Sequence, residues 1–297
     1  MPDTINSNFE YKMQNKKFVI TTEIGPPKGT DTNIIKENVK LLTGIVDAFN
    51  VSDNQGSNMN LGGLAVSHML VNMGLEPIFQ ITCRDRNRLS LQSDLLSAYV
   101  LDIKNILVLT GDYTTIGDNP KAMPVFDLDS VQLLHVIKSL EEGYDMVGNT
   151  LTKKPVFFRG AAVNTEADTE VSFKLQLIKM KKKVTQGAQF FQTMPVFNID
   201  KFKEFIERAN RLKIDVPVIA GIQLIKSEKM AIYMNKFIPG IKIPDNIIAR
   251  ISSAADKVTE SIEIAAGIIK EIKPYCSGIH IGAQGWENYI PRFIEKI

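Results

Sequence analysis

Eight short runs of β-branched and aromatic residues punctuate the chain, at residues 18–24, 47–52, 77–82, 105–110, 155–161, 189–194, 216–223 and 278–282. Each is the length of a strand, and the amphipathic stretches between them are the length of crossover helices. Such stretches lie at 31–45, 88–101, 130–142, 166–186 and 200–212. Asp31 and Asp200 are expected N-caps, since a side-chain oxygen there accepts an orphan helix N–H. Gly187, after a lysine-rich helix end, is a C-cap signal. Parallel strands joined by helices bury both faces of their sheet. Eight strand–helix units, none with the marks of an edge, therefore predict an α/β fold of the (β/α)8 TIM-barrel type rather than an open doubly wound sheet. A further helical stretch, about 246–273, lengthens the connection to the last strand. No Pro/Gly/Ser-rich linker or internal repeat divides the sequence, so residues 18–297 read as one domain behind an N-terminal arm, 1–17.

With 44% hydrophobic and 23% charged residues, a 297-residue chain has material for a large core. A net charge of +2 gives no electrostatic footprint for nucleic acid. The opening MPDTINSNFEYKMQNKKF has no apolar run, and no stretch approaches the ~18 apolar residues of a membrane span, so neither secretion nor membrane insertion is expected. Cys83 and Cys276 stand far apart without metal-type spacing and read as reduced thiols of a cytoplasmic protein. Three histidines are too few for a histidine-rich metal centre, and no metal is expected. The absence of G-x-G-x-x-G, of a P-loop and of a nucleophile elbow argues against Rossmann dehydrogenases and hydrolases.

Barrel enzymes build their sites from the C-terminal ends of the strands. Those ends carry Glu23, Ser52 with Asp53, Gln80 with Thr82, Thr110-Gly111-Asp112, residues 160–164, residues 192–194, Gln223 and His280. Carboxylates there are costly unless paired or used. Glu23 ends VITTE before the rigid turn GPPKG, and is either a catalytic acid or a salt-bridge partner in the mouth. Asp112 follows NILVLTG, where Gly111 permits close backbone approach to a ligand; the plainer alternative is a turn or helix cap. The arginines of CRDRNR (residues 83–88) could hold an anion, yet such a cluster is more often a solvated helix start with internal pairs such as Arg84–Asp85. The triplet Lys181-Lys182-Lys183 suits a helix C-terminus, with a cofactor phosphate as the functional alternative. His68 and His135 fall in helices, whereas His280 on the last strand is open to ligand contact or a buried hydrogen bond.

The strings TTEIGPPKG, QITCRDRNRLSLQSDLLSAY, NILVLTGDY, PVFDLDS, FFRGAAVN and KVTQGAQFFQT, in this order, resemble the methylenetetrahydrofolate reductase family, most closely its short bacterial kind. The resemblance runs from Phe18 to the C-terminus. It implies a flavin-binding barrel that converts 5,10-methylenetetrahydrofolate to 5-methyltetrahydrofolate, with FAD or FMN as cofactor. It matches Glu23 to the family's general acid and Asp112 to the carboxylate beside flavin and pterin. It draws the flavin surface from Ser52, Gln80, Thr82, Thr110, Gly111, Asp112, Phe126, Gly160, Ala161, Asn164 and Lys183. Gln80 and Thr110 depart from the histidine and arginine of other members, and Met194 stands where a folate-binding glutamine is usual. Gln192 and Gln223 are the candidates to take that glutamine's place, and the small Gly282 suggests a roomier or partner-completed site.

The residue types suit this chemistry independently. Opening the substrate's five-membered ring needs a proton donor for the departing nitrogen, a task for Glu23. The resulting iminium cation needs a negative neighbour, which ionised Asp112 supplies. Two other classes remain open: a non-catalytic flavin- or folate-binding subunit of an electron-transfer complex, and a flavin-free folate-binding methyltransferase barrel. The electron donor is either NAD(P)H or an iron–sulfur partner subunit, and the chain is open to like or unlike oligomerisation.

Overall fold

In the computed structural model, which describes residues 5–238 and 240–297, the eight strands close into one parallel barrel in chain order. They are β1 (Val19–Ile24), β2 (Ala48–Val51), β3 (Pro77–Thr82), β4 (Asn105–Leu109), β5 (Phe158–Val163), β6 (Phe190–Pro195), β7 (Val218–Gln223) and β8 (Gly278–Gly282). The outer ring is α2 (Asn33–Leu42), α3 (Gly63–Asn72), α4 (Arg88–Val100), α5 (Ser130–Glu142), α6 (Glu170–Thr185), α7 (Ile199–Arg211), α8 (Glu228–Phe237), α9 (Asp245–Ser253), α10 (Lys257–Ile272) and the terminal α11 (Ile290–Ile294). The helical stretch expected before β8 is thus two helices, α9 and α10, broken at Ala254 ahead of the Asp256 cap. No described helix is long and apolar enough to cross a membrane.

Local differences from the sequence expectation have local causes. β5 starts three residues later than expected because the Phe157 N–H is captured by the Glu141 carboxylate at 2.9 Å, and the ladder begins with Phe158 N donating to Lys104 O. Asn198, not Asp200, caps α7 by accepting from Lys201 N. Thr32 occupies the cap position of α2 without a side-chain bond, and Asp31 serves from one residue outside by accepting from Asn33 N.

Before β1 a short helix, α1 (Asn8–Gln14), lies under the barrel. Its Phe9 and Met13 join Val19, Ala48, Ile78, Leu107, Phe158, Phe190 and Ile219 in an apolar cluster distinct from the larger strand–helix core. Phe9 meets Phe158 and Phe190 edge-on, with ring centroids 5.7 and 5.5 Å away. Gly160 is required here, since a Cβ would fall 2.2 Å from the Phe190 ring. Side chains alternate along a strand, so the next inward positions above this floor are Thr21, Asn50, Gln192 and His280. The interior is therefore apolar and stoppered below and polar above.

Candidate active site

The upper interior is one hydrogen-bonded layer. Asn50 Nδ2 donates to Gln192 Oε1 at 2.5 Å and lies 2.9 Å from His280 Nδ1. Thr21 Oγ1 is 3.1 Å from the same imidazole nitrogen. Asn50 and Thr21 thus hold the Nδ1 edge of the ring inside the layer. Nε2 points at Glu23 Oε2, 3.8 Å away. Glu23 keeps about a fifth of its side chain exposed, so it faces both the histidine and the mouth.

On the β2–β4 side the charges are paired. Asp53, nearly fully buried, accepts from Thr82 N (2.9 Å), Thr82 Oγ1 (2.8 Å) and Arg86 Nη1 (2.7 Å). Arg86 also reaches Asp94, Arg88 pairs with Asp127, and the buried Arg84 binds Asp85 and the carbonyl of Asn54. The arginine cluster is thus a framework of ion pairs rather than an open anion site. Gly111 has φ +95 and lies against Arg84, where a Cβ would come within 2.9 Å of Arg84 Cβ. This close approach fixes the turn that presents exposed Asp112. Ser52 and Gln80 are buried at the ends of β2 and β3. The hydroxyl of Thr110 donates to Ser130 Oγ at the start of α5 (3.2 Å), and Phe126 packs edge-on to Tyr113.

On the β5–β7 side the strands carry small residues at Gly160, Ala162 and Gly221. Gly160 faces inward, while Ala161 belongs to the outer strand–helix core, so Ala162 rather than Ala161 shares the inner face. Lys183 comes in from α6 and donates to Ala162 O at 2.7 Å. Burial pushes its pKa down to about 8. Asn164 accepts from Glu166 N and lies under the loop holding Gly240. Glu166, pushed up to about 6 by burial, accepts from Phe197 N and Asn198 N at 2.6 and 2.7 Å and so ties the loop after β6 to the loop after β5. Next to it Thr165 keeps a buried hydroxyl without a partner. The space above Gly282 is not vacant: the Gln223 side chain folds over it, Nε2 donating to Gly282 O at 2.8 Å.

The structure therefore gathers Glu23, Gln192, Gln223 and His280 in or just above one layer, with Lys183 and the Gly111–Asp112 turn on the surrounding rim. It does not bring the Ala161 side chain to that mouth. Sequence reasoning passed over Asn50 and Glu166. Asn50 had a signal, being an amide inside the otherwise apolar run AFNV. Glu166 had none, because its partners are backbone groups of a distant loop.

Comparison with known proteins decides the family. The methylenetetrahydrofolate reductase family model matches residues 8–295. The chain belongs to the methylenetetrahydrofolate reductase family. It is 24% identical over 256 residues to methylenetetrahydrofolate reductase 2 of Saccharomyces cerevisiae, covering 80% of this chain and 40% of that one. It is 25% identical over 230 residues to a probable NADH-type methylenetetrahydrofolate reductase of Oryza sativa, covering 74% and 35%. The chain thus spans about two fifths or less of these two reductases. A 5,10-methylenetetrahydrofolate reductase of Buchnera aphidicola is 25% identical, with 77% of this chain and 72% of that protein covered. Among solved structures, an uncharacterized Clostridium thermocellum protein described as binding two copies of 5-methyl-5,6,7,8-tetrahydrofolic acid shares the fold. Its TM-score is 0.70 at 15% identity, covering 98% of this chain and 97% of that one.

Proposed function

We propose that this chain is a flavin-dependent reductase of 5,10-methylenetetrahydrofolate, acting in the cytoplasm and forming 5-methyltetrahydrofolate. The observation that carries the reading is the Glu23–His280 pair at the mouth, a carboxylate 3.8 Å from the imidazole Nε2. Family membership and the folate ligands of the Clostridium thermocellum protein support it.

The residues present suit a flavin. The β5 wall offers the small Gly160 and Ala162 and a desolvated ammonium at Lys183. A planar ring rich in acceptor atoms fits such a wall. Ser52, Gln80, Thr82, Thr110, Gly111, Asp112, Phe126, Gly160, the Ala161 backbone, Asn164 and Lys183 would hold it, as FAD or FMN. When bound, the flavin supplies the hydride.

The chain's own groups do the rest. Glu23 gives a proton to the nitrogen that departs when the substrate's five-membered ring opens. His280 Nε2 faces Glu23 from 3.8 Å away. Asp112 places negative charge near the iminium cation so formed. Gln192 and Gln223 orient the substrate ring. Reducing equivalents come from NAD(P)H or from an iron–sulfur partner subunit.

The test is a visible spectrum of the purified chain followed by turnover of methylenetetrahydrofolate with an artificial reductant. A yellow protein that forms methyltetrahydrofolate is expected. A protein that stays colourless after incubation with FAD and FMN, yet binds folate, would instead be a methyltransferase-type barrel. A yellow protein without turnover would be a binding subunit.

A further inference from the structure

Glu23 and Asp112 stand on strands that do not pair. Glu23 lies on β1 and Asp112 follows β4, with β2 and β3 between them in the barrel. The ladder fixes neighbouring strands but not the loops beyond their ends, so these two carboxylates need a further tie to keep one separation. Asp118, in the same loop as Asp112, supplies it. Its Oδ2 pairs with Lys28 Nζ, in the GPPKG turn that follows Glu23. Its Oδ1 accepts from Met59 N, in the loop after β2, at 3.0 Å and from Asn119 Nδ2 at 2.8 Å. Leu61 N donates to Pro27 O at 2.8 Å, which binds the β2 loop to the same turn.

The chain around these contacts has little freedom. Pro26 and Pro27 fix φ in the turn that joins Glu23 to Lys28. Between Asp112 and Asp118 a 3-10 turn, Thr114–Ile116, buries Thr114. Gly117 then packs on the β2 loop so closely that a Cβ would fall 1.9 Å from Ser57 O. Val125 N donates to Arg84 O at 2.8 Å and secures the far end of the loop. Lys28 and Asp118 keep 63% and 23% of their side chains exposed, so the pair adds little to global stability. Its effect is local, joining the loops of β1, β2 and β4.

We infer that Lys28 and Asp118 are positioning residues, an ion pair that clamps the β1 turn to the β4 loop and holds Glu23 and Asp112 at the separation that folate reduction needs. The inference rests on the reductase reading, in which one carboxylate protonates the departing nitrogen and the other faces the cation. Both must then meet one substrate at once, and a displacement on the order of 1 Å can cost ~100-fold in rate. Lys28 and Asp118 act through their loops and transfer no proton.

The experiment is stopped-flow kinetics of the flavin-loaded chain, with flavin reduction by an artificial reductant and reoxidation by methylenetetrahydrofolate measured separately. Wild type, Lys28→Met, Asp118→Asn, the double variant and Gly117→Ala are compared, each checked for a native circular dichroism spectrum. Asparagine keeps an acceptor for Met59 N while removing the charge. Each single charge variant is expected to slow reoxidation ~10–100-fold while flavin reduction stays near the wild-type rate. The double variant is expected to be no slower than either single one, as for two groups acting through one contact. Salt at about 1 M, which screens an exposed pair, slows reoxidation of wild type more than that of either variant. Gly117→Ala lifts the β4 loop off Ser57 with both charges in place; it slows the same step and decides the matter should a charge variant not fold. If wild type reduces methylenetetrahydrofolate and the variants match its reoxidation rate, or the two single losses add in the double variant, the clamp is overturned and the reductase reading stands. If wild type is not reoxidised by methylenetetrahydrofolate, the reductase reading fails and takes the positioning role with it.

Discussion

His280 meets Glu23 with one imidazole nitrogen and the barrel interior with the other: Nε2 lies 3.8 Å from Glu23 Oε2, while Nδ1 sits against Asn50 and Thr21. The buried edge of the ring is held by Asn50 and Thr21, which leaves Nε2 on the side of the carboxylate.

Glu23→Gln should abolish folate reduction and leave flavin reduction nearly intact. Glutamine preserves size but delivers no proton at neutral pH, and loss of a general acid costs ~10²–10⁴-fold in rate. Separate stopped-flow half-reactions check this. A wild-type rate with methylenetetrahydrofolate would remove Glu23 from the role of acid; loss of the flavin or the fold would make it a structural ion-pair partner.

Lys183→Met should stabilise the protein while weakening its hold on flavin. Burial lowers the lysine to about 8, below its ordinary 10.5. The stability linked to its neutral form is present above pH 10.5 and lost as pH falls through 8, so at pH 7 the ammonium is a burden. Removing it should gain about 1–3 kcal/mol at pH 7, a gain that shrinks as pH approaches 10.5. Melting curves at both pH values and a flavin titration test the two halves of the statement. A variant less stable at pH 7 would assign Lys183 to the fold.

Glu166 should make stability fall between pH 4.5 and neutrality. Its carboxyl is raised by burial to about 6 from 4.5. Its contribution is therefore full below 4.5 and lost as pH rises through 6, a change of ~2 kcal/mol. Urea unfolding of wild type and Glu166→Gln at pH 4.5 and 7 measures it as the difference between their slopes. Parallel pH profiles would contradict the assignment.

Phe9→Ala should cost about 3–5 kcal/mol, the usual cost of emptying a buried phenylalanine site. Phe9 is fully buried between Phe158 and Phe190 beneath the strands. Chemical denaturation gives the value directly, and a loss under 1 kcal/mol would mean that the floor closes without it.

The barrel itself was legible because buried parallel strands leave a signal in every run, and Glu23 and Asp112 were legible because strand ends are where charge stands out. Other features were hidden for physical reasons. Phe9 sits in a polar segment, and only the tertiary fold reveals that its ring fills the barrel floor. The reading of CRDRNR as a helix start with internal pairs holds for Arg84–Asp85, but the outside partners were hidden: Asp127 lies 39 residues from Arg88, and Asp53 lies 33 from Arg86. The difference between Ala161 and Ala162 is one residue of register, which turns a side chain to the opposite face of the sheet. The orientation of Gln223 depends on Gly282 across a strand boundary, 59 residues away.

The division of the barrel interior also bears on how this chain tolerates change. Cohesion resides in the phenylalanine-rich floor, and recognition resides in the amides, imidazole and carboxylates one storey up. Substitutions in the two zones share few partners, so their energetic effects should combine nearly additively. A lineage built this way can drift in what it accepts, one polar position at a time, without risking collapse of the scaffold beneath.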